Sequence, residues 1–269
     1  AQRITAGLSP APLQPGTCAR IFTGAPIPAG ADAVEMQENV TLDALGNAHF
    51  SHNLKPGQNI RPQGQDLQQG QRLFSAGRRL LPQDLGLLAS CGITQVKLAQ
   101  PLRIAVVSTG DELVEPGVAL GPGKIYNSNR FTLFGLLAQS GQDIVDGGIL
   151  ADDPVLIRNQ LEQLAASCDA IVSSGGVSVG EADYLGQILR DNGQLTLWKL
   201  AIKPGKPFTL GQVNGTPVLG LPGNPGAVLV TFLLLVKPWL LRRLGATSYL
   251  PESLPLPAGF DWHNRGQRD

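Results

Sequence analysis

Apolar positions along the chain follow two rhythms, which change near residue 100. Between residues 17 and 80 they come in short alternating runs at 18–22, 33–36, 49–51 and 72–75, separated by Pro-Gly, Ala-Gly and Gly-Gln pairs. Such runs predict brief strands joined by turns, hence a small, mostly β module. Pro82 sits where a first helical residue belongs, and Gly92 follows the apolar stretch 87–91, so this segment predicts one helix with an N-terminal proline and a glycine stop. A further short run at 96–98 leads to Pro101, a plausible boundary.

Beyond Pro101 the rhythm becomes strand, loop, helix. Strands are predicted at 103–107, 143–149, 170–172, 196–200, 208–212 and 217–219. Helices are predicted from 129 to 139, from the Asp152-Asp153-Pro154 cap to about 167, from 182 to 192 with a stop at Gly193, and from about Pro225. This alternation defines an α/β fold: a mainly parallel sheet with helices on both faces, preceded by the small β module. Ligands of such sheets bind beyond the carboxyl ends of the strands. The apolar run 227–236 is shorter than the ~20 residues of a membrane span and is followed by Lys237-Pro238, so it predicts a buried helix and no membrane partner.

Charge narrows the partners. The 269 residues carry 21 Lys and Arg against 21 Asp and Glu, so no global basic field favours nucleic acid, and an anion site has to be local. Cys18, Cys91 and Cys168 are scattered and odd in number, which disfavours a disulfide framework or a zinc centre and predicts buried thiols in a reducing, cytoplasmic setting. His49 and His52 have metal-like spacing but stand in a polar, hairpin-like stretch without acidic or thiol partners, and read as a surface pair. Ala1 opens the chain without methionine or a leader, so the chain reads as a fragment.

Three loops rich in glycine and proline follow predicted strands within about fifty residues of one another. Ser173, Ser174, Gly175, Gly176, Ser178 and Gly180 belong to the first, which offers backbone N–H groups and hydroxyls to a phosphate; as a bare motif it serves equally as a tight turn. Lys203-Pro204-Gly205-Lys206-Pro207, with Lys199 just before it, holds cations on a restrained backbone; ordinary surface lysines are the alternative. Leu221-Pro222-Gly223-Asn224-Pro225 is a rigid turn into a helix. Asp111 and Glu112 end another predicted strand, with Asp183 expected in the first turn of a later helix. Oxygen ligands beside a phosphate suit Mg²⁺, whereas helix capping and a solvated loop account equally well for each acid taken singly. No Ser-His-Asp or Cys-His arrangement stands out.

The stretches Thr-Gly-Ala-Pro (23–26), Ser-Thr-Gly-Asp-Glu-Leu (108–113), Ser-Ser-Gly-Gly-Val-Ser-Val-Gly-Glu-Ala-Asp-Tyr (173–184), Lys-Leu-Ala-Ile-Lys-Pro-Gly-Lys-Pro (199–207) and Gly-Leu-Pro-Gly-Asn-Pro (220–225) together resemble the molybdopterin molybdenumtransferase family of the MoeA type, related to the E domain of gephyrin. The resemblance spans roughly residues 16–245. It implies a cytoplasmic transferase that inserts molybdate into adenylylated molybdopterin with release of AMP, using Mg²⁺, in molybdenum cofactor biosynthesis. It further implies a homodimer, with contact to a molybdopterin adenylyltransferase. Glu112, Asp152 and Asp183 resemble the family's acidic site residues, Glu112 and Asp183 being the metal ligands. Lys199 and Lys203 resemble its catalytic lysines, Thr23 and Asp66 further functional positions, and Pro222 and Pro225 its molybdate-side loop.

On this resemblance residues 1–64 form an N-terminally incomplete β module, 65–100 part of a linking and dimerisation domain, 101–245 the molybdopterin-binding domain, and 246–269 a proline-rich connector to a further β domain. The family's upstream Met-Asp-Gly-Tyr-Ala-like stretch does not occur in this sequence. Two other readings share features with it. A MogA-type adenylyltransferase has the fold and the Gly-Gly loop but neither the β module nor the Lys-Pro-Gly-Lys-Pro context. A non-catalytic scaffold would not need the acids and lysines that are here.

Overall fold

A computed structural model of the chain describes residues 2–177, 184–191 and 195–261, and the chain divides into two compact units, residues 1–73 and 74–269.

In the first unit β1 (Arg3–Ile4) pairs in parallel with β2 (Arg20–Ile21), and β3 (Val40–Leu42) forms an antiparallel hairpin with β4 (Ala48–Phe50). The hairpin turn is closed by Asp43, whose carboxylate accepts from the N–H groups of Leu45 at 2.9 Å and Asn47 at 2.8 Å and from the Asn47 amide at 2.8 Å. These bonds, that from the Asn47 side chain first, hold its carboxyl below the usual range. Runs 33–36 and 72–75, expected as strands, form none: Val34 donates once to Gln58 O, and no partner strand extends the ladder. The histidines also differ from expectation, because each meets an acid: His49 Nε2 lies 3.3 Å from Asp43 and His52 Nε2 2.9 Å from Glu35. Among the described residues of this unit only Ile4 and Pro28 are buried.

The second unit opens with α1 (Pro82–Ser90), which starts with proline, stops at Cys91 and is followed by Gly92 at φ +72°. Asp84 in its first turn accepts from Leu81 N at 2.9 Å and from Arg78 through two bonds of 2.8 and 3.2 Å. The Arg78 guanidinium foremost, and then the Leu81 N–H, hold the Asp84 carboxyl below its ordinary value. Cys91, expected to be buried, is exposed just past this helix, whereas Cys168 is buried. Residues 96–98 form no strand.

A six-stranded sheet follows. Its strands are β5 (Arg103–Thr109), β8 (Asp143–Leu150), β9 (Ala170–Ser174), β10 (Leu195–Trp198), β11 (Thr209–Val213) and β12 (Thr216–Leu221), after the short β6 (Leu113–Val114) and β7 (Ile125–Tyr126) that pair with each other. The spatial order is β10-β11-β12-β9-β5-β8, with β12, β9, β5 and β8 parallel and β11 antiparallel to both neighbours. Helices α2 (Ser128–Gln139), α3 (Pro154–Ala165), α4 (Tyr184–Asp191), α5 (Pro225–Thr231) and α6 (Lys237–Arg243) cover it.

Strand alternation sorts the core into two layers. Ile104, Val106, Val172 and Leu219 pack with Leu133 and Leu137 of α2 and with Val228, Phe232 and Leu240 on one face. On the other, Ala105, Val107 and Ile171 pack with Ile157 and Leu161 of α3 and with Leu185 and Ile188 of α4. The stretch Pro225–Arg243 is one 19-residue helix, long and apolar enough by composition to cross a membrane, but Val228, Phe232, Val236 and Leu240 are buried in the sheet's core. Pro238 does not end it, because a π-helical turn over Phe232–Val236 precedes the proline and the Lys237 N–H bonds Phe232 O. A wider turn of this kind accommodates a residue that has no N–H to give.

Candidate functional site

The parallel strands deliver their following loops to one edge. Thr109 ends β5, Leu150 ends β8, Ser174 ends β9 and Leu221 ends β12, with Ser108 and Leu221 each in register with Ser174. The lysine loop 199–208 joins the same edge by a different route: β11 begins with Thr209 opposite Gly220, near the end of β12. Gly205 lies against α5, where an added Cβ would stand 2.7 Å from Thr231 Cγ2. β5 leads to α2 on one face and β9 to the α4 side on the other, so the crevice between β5 and β9 is a topological switch point, the usual ligand position in such sheets.

At the floor of that crevice the strand ends turn polar yet stay buried. Ser108, Thr109, Asn127, Ser173 and Ser174 are all at most 4% exposed. Ser108 Oγ donates to Asn127 Oδ1 and meets Ser174 Oγ, both at 3.2 Å. Asn127 also caps α2, accepting from Arg130 N. Thr109 Oγ1 and Ser173 Oγ have no hydrogen-bond partner among the described residues. Above them Gly175 and Gly176, at φ +87° and +65°, lie flat on Thr109: a Cβ on Gly175 would strike Thr109 O, and one on Gly176 would stand 2.6 Å from Thr109 Oγ1. Only glycine permits that approach, and the Gly175 N–H donates to Leu221 O at 3.2 Å, which ties the start of the loop to the end of β12.

The acids take distinct places. Asp111 and Asp152 stitch the loops after β5 and β8 together: Asp152 N donates to Asp111 Oδ1 at 3.1 Å, and Asp111 N to Asp152 Oδ2 at 3.4 Å. Lys124 Nζ donates to Asp111 O at 2.5 Å, tightening the same loop. Asp153, not Asp152, caps α3, accepting from Val155 N at 2.7 Å and Leu156 N at 3.1 Å. Glu112 is exposed and its carboxylate folds back over Gly110, whose φ is +145°. Among the described residues no three His, Cys, Asp or Glu side chains cluster. Asp183, Ser178 and Gly180 lie outside the described residues.

The remaining expected residues are placed as follows. Ser173 and Ser174 are the last residues of β9, so their loop begins at Gly175; Gly175 and Gly176 are half-buried and Val177 is buried. Lys203 is exposed and Lys199 and Lys206 are half-buried; Leu200 N donates to Lys206 O at 2.9 Å, closing the loop on itself. Pro222 is buried, while Pro225 is the exposed first residue of α5, whose cap Asn224 accepts from Ala227 N at 3.2 Å. Thr23 and Asp66 belong to the first unit, where both are exposed and Asp66 lies 3.6 Å from Arg61. Residues not singled out by sequence are Asn127, which ties β5 to α2, and Asn129, whose amide donates to Gly223 O at 2.8 Å and anchors the proline turn. Their signal was the Asn-Ser-Asn run before an apolar helix, a capping pattern that also served two neighbouring loops.

A mainly parallel α/β domain with a glycine cradle, a lysine loop and acids at one strand edge is the class of protein defined here. Two comparisons make it particular. Residues 105–242 match the family described as probable molybdopterin binding domain, and residues 1–92 match the MoeA N-terminal region, domains I and II. The chain belongs to this molybdopterin-binding family, in the arrangement of the MoeA type. It is 46% identical over 230 residues to a molybdopterin molybdenumtransferase of Haemophilus influenzae, covering 86% of this chain and 57% of the relative. A molybdopterin molybdenumtransferase of Nostoc sp. is 38% identical over 273 residues, covering 99% of this chain and 62% of the relative. The crystal structure of the molybdopterin biosynthesis MoeA protein from Pyrococcus horikosii superposes with a TM-score of 0.73 at 35% identity, covering 92% of this chain and 62% of that one. The chain thus spans about three fifths of the length of these relatives.

Proposed function

We propose that this chain is the greater part of a molybdopterin molybdenumtransferase, which inserts molybdate into adenylylated molybdopterin and releases AMP. The observation that carries the reading is the meeting of the β5, β9 and β12 loops with the lysine loop at one sheet edge, in a chain 46% identical to a relative of that name. The substrate carries a phosphoanhydride and the second reactant is an oxyanion, so both need fixed positive charge and N–H donors in one cleft. Gly175 and Gly176, having no side chain, let the loop that follows β9 approach the phosphates closely. Lys203 and Lys206 supply donors for molybdate, and Pro222 and Pro225 stiffen the turn beside them. The Asp111–Asp152 stitch holds the loop that carries Glu112.

Mg²⁺ fits this chemistry in one respect that the chain itself shows: Glu112 is an exposed carboxylate with no cation paired to it among the described ion pairs. Glu112 and Asp183 would hold the ion, and Mg²⁺ would supply charge neutralisation of the phosphates. The reading includes a cytoplasmic homodimer that receives its substrate from a molybdopterin adenylyltransferase. Thr23 and Asp66 are further functional positions in this reading. The MogA-type alternative is disfavoured because residues 1–92 match the MoeA N-terminal region.

The test is molybdate-dependent AMP release from adenylylated molybdopterin by the full-length enzyme. Glu112→Ala, Asp183→Ala and Lys203→Ala should each lower it by about 10²-fold or more. Undiminished release in all three would overturn the assignment.

A further inference from the structure

Three residues other than glycine have positive φ among those described: Asn59, Asn214 and Lys199. Asparagine tolerates the left-handed region, and lysine gains nothing there from its own side chain, so Lys199 at φ +65° calls for a reason outside the residue. Two backbone bonds hold it in place: Lys199 N donates to Phe208 O at 3.0 Å, and Leu200 N donates to Lys206 O at 2.9 Å. The consequence is directional. Successive side chains of an extended strand point to opposite faces, yet Lys199 Nζ lies 3.5 Å from the centroid of the Trp198 ring. The left-handed turn at the end of β10 reverses the direction of one side chain and folds the ammonium onto its neighbour's face.

Trp198 is 42% exposed, so the pair lies open at the end of an edge strand rather than in the core. Its ring is also approached by the Arg190 guanidinium of α4, 5.0 Å from the centroid, which ties the indole to the helix as well as to the strand. We propose that Trp198 is a positioning residue that holds the Lys199 ammonium at the entrance of the lysine loop, through the left-handed turn at Lys199. This rests on the reading that Lys199 belongs to an anion site. Trp198 acts through Lys199 and does not itself touch the ligand.

The experiment is a double-mutant cycle on the protein, with AMP as the probe and equilibrium dialysis as the measurement. Trp198→Leu removes the aromatic face and should weaken AMP binding by about two- to fivefold, the range of an exposed cation–π contact. Trp198→Phe keeps the face and should stay within about twofold. In a Lys199→Ala background Trp198→Leu should have no further effect. Equal losses in both backgrounds, or a Phe variant as weak as the Leu variant, would sink the proposal. A second readout needs no ligand: Lys199→Ala should change the emission of Trp198, taken as the spectrum removed by Trp198→Phe. An unchanged emission means that the contact does not exist and ends the inference, whatever the binding data show. If the unsubstituted protein binds no AMP while Trp198 emission responds to Lys199→Ala, the contact stands and the anion-site reading, with the role built on it, fails.

Discussion

At the scale of residues, Asp84 shows how one carboxylate does several jobs. It closes the first turn of α1 through Leu81 N and takes both guanidinium bonds of Arg78, and these lower its pKa in the folded protein. A carboxyl lowered on folding contributes stability above its unfolded pKa and loses it as pH falls through the folded value. Thermal melts of the protein and of Asp84→Asn should therefore differ most near neutrality, the variant melting lower, and should converge once pH drops below the ordinary carboxylate range. A constant difference across that interval would show that the charge of Asp84 is irrelevant. Glu35 is lowered likewise, by Asn39 foremost and then Met36 N, but with His52 exposed beside it the local contact is weaker in salt.

At the scale of elements, helix starts at the sheet edge do two things: they terminate backbone and they shape the site. Asn127, Asp153 and Asn224 each cap a helix that starts at this edge; Asn127 itself ties β5 to α2, and Asp153 lies next to Asp152, which joins two loops. Replacing Asn224 by alanine should lower stability by about 1 kcal/mol, read as a fall in melting temperature of roughly 2–4 °C. An unchanged melt would mean that Pro225 alone sets the start of α5. Much of this was legible beforehand, since Pro82, Pro154 and Pro225 marked three helix starts within one residue of where they occur. The strands expected at 33–36 and 72–75 were not, because a β-like run becomes a strand only when another backbone lies alongside to take its hydrogen bonds.

At the scale of the whole molecule, the two units differ in what holds them. Residues 74–269 carry both packed core layers, whereas in the first unit Ile4 and Pro28 are the buried positions described. A segment with so little buried apolar surface opens easily. Hydrogen exchange followed by mass spectrometry should show the amides of β5, β9 and β12 among the slowest and those of residues 2–73 exchanging far faster. Comparable protection in both units would contradict this account. The balanced charge of the chain, 21 against 21, also means that any attraction of anions arises at the loops and not from a general field.

The amino-acid order alone determined the α/β rhythm, the helix starts and the identity of the glycine, lysine and proline loops, because each depends on nearest neighbours along the chain. Tertiary structure decided which of those residues share an edge and what each does there. Strand order carries the lysine loop round to β12, and pairing of β5 with β9 buries Ser108 and Ser174 against each other. The run Asp152-Asp153-Pro154 reads as a helix cap in the sequence; the structure divides it, Asp153 capping α3 while Asp152 binds the backbone of Asp111, forty-one residues away. Such contacts depend on which strand lies beside which, and that is settled only when the apolar faces of the whole sheet find their partners.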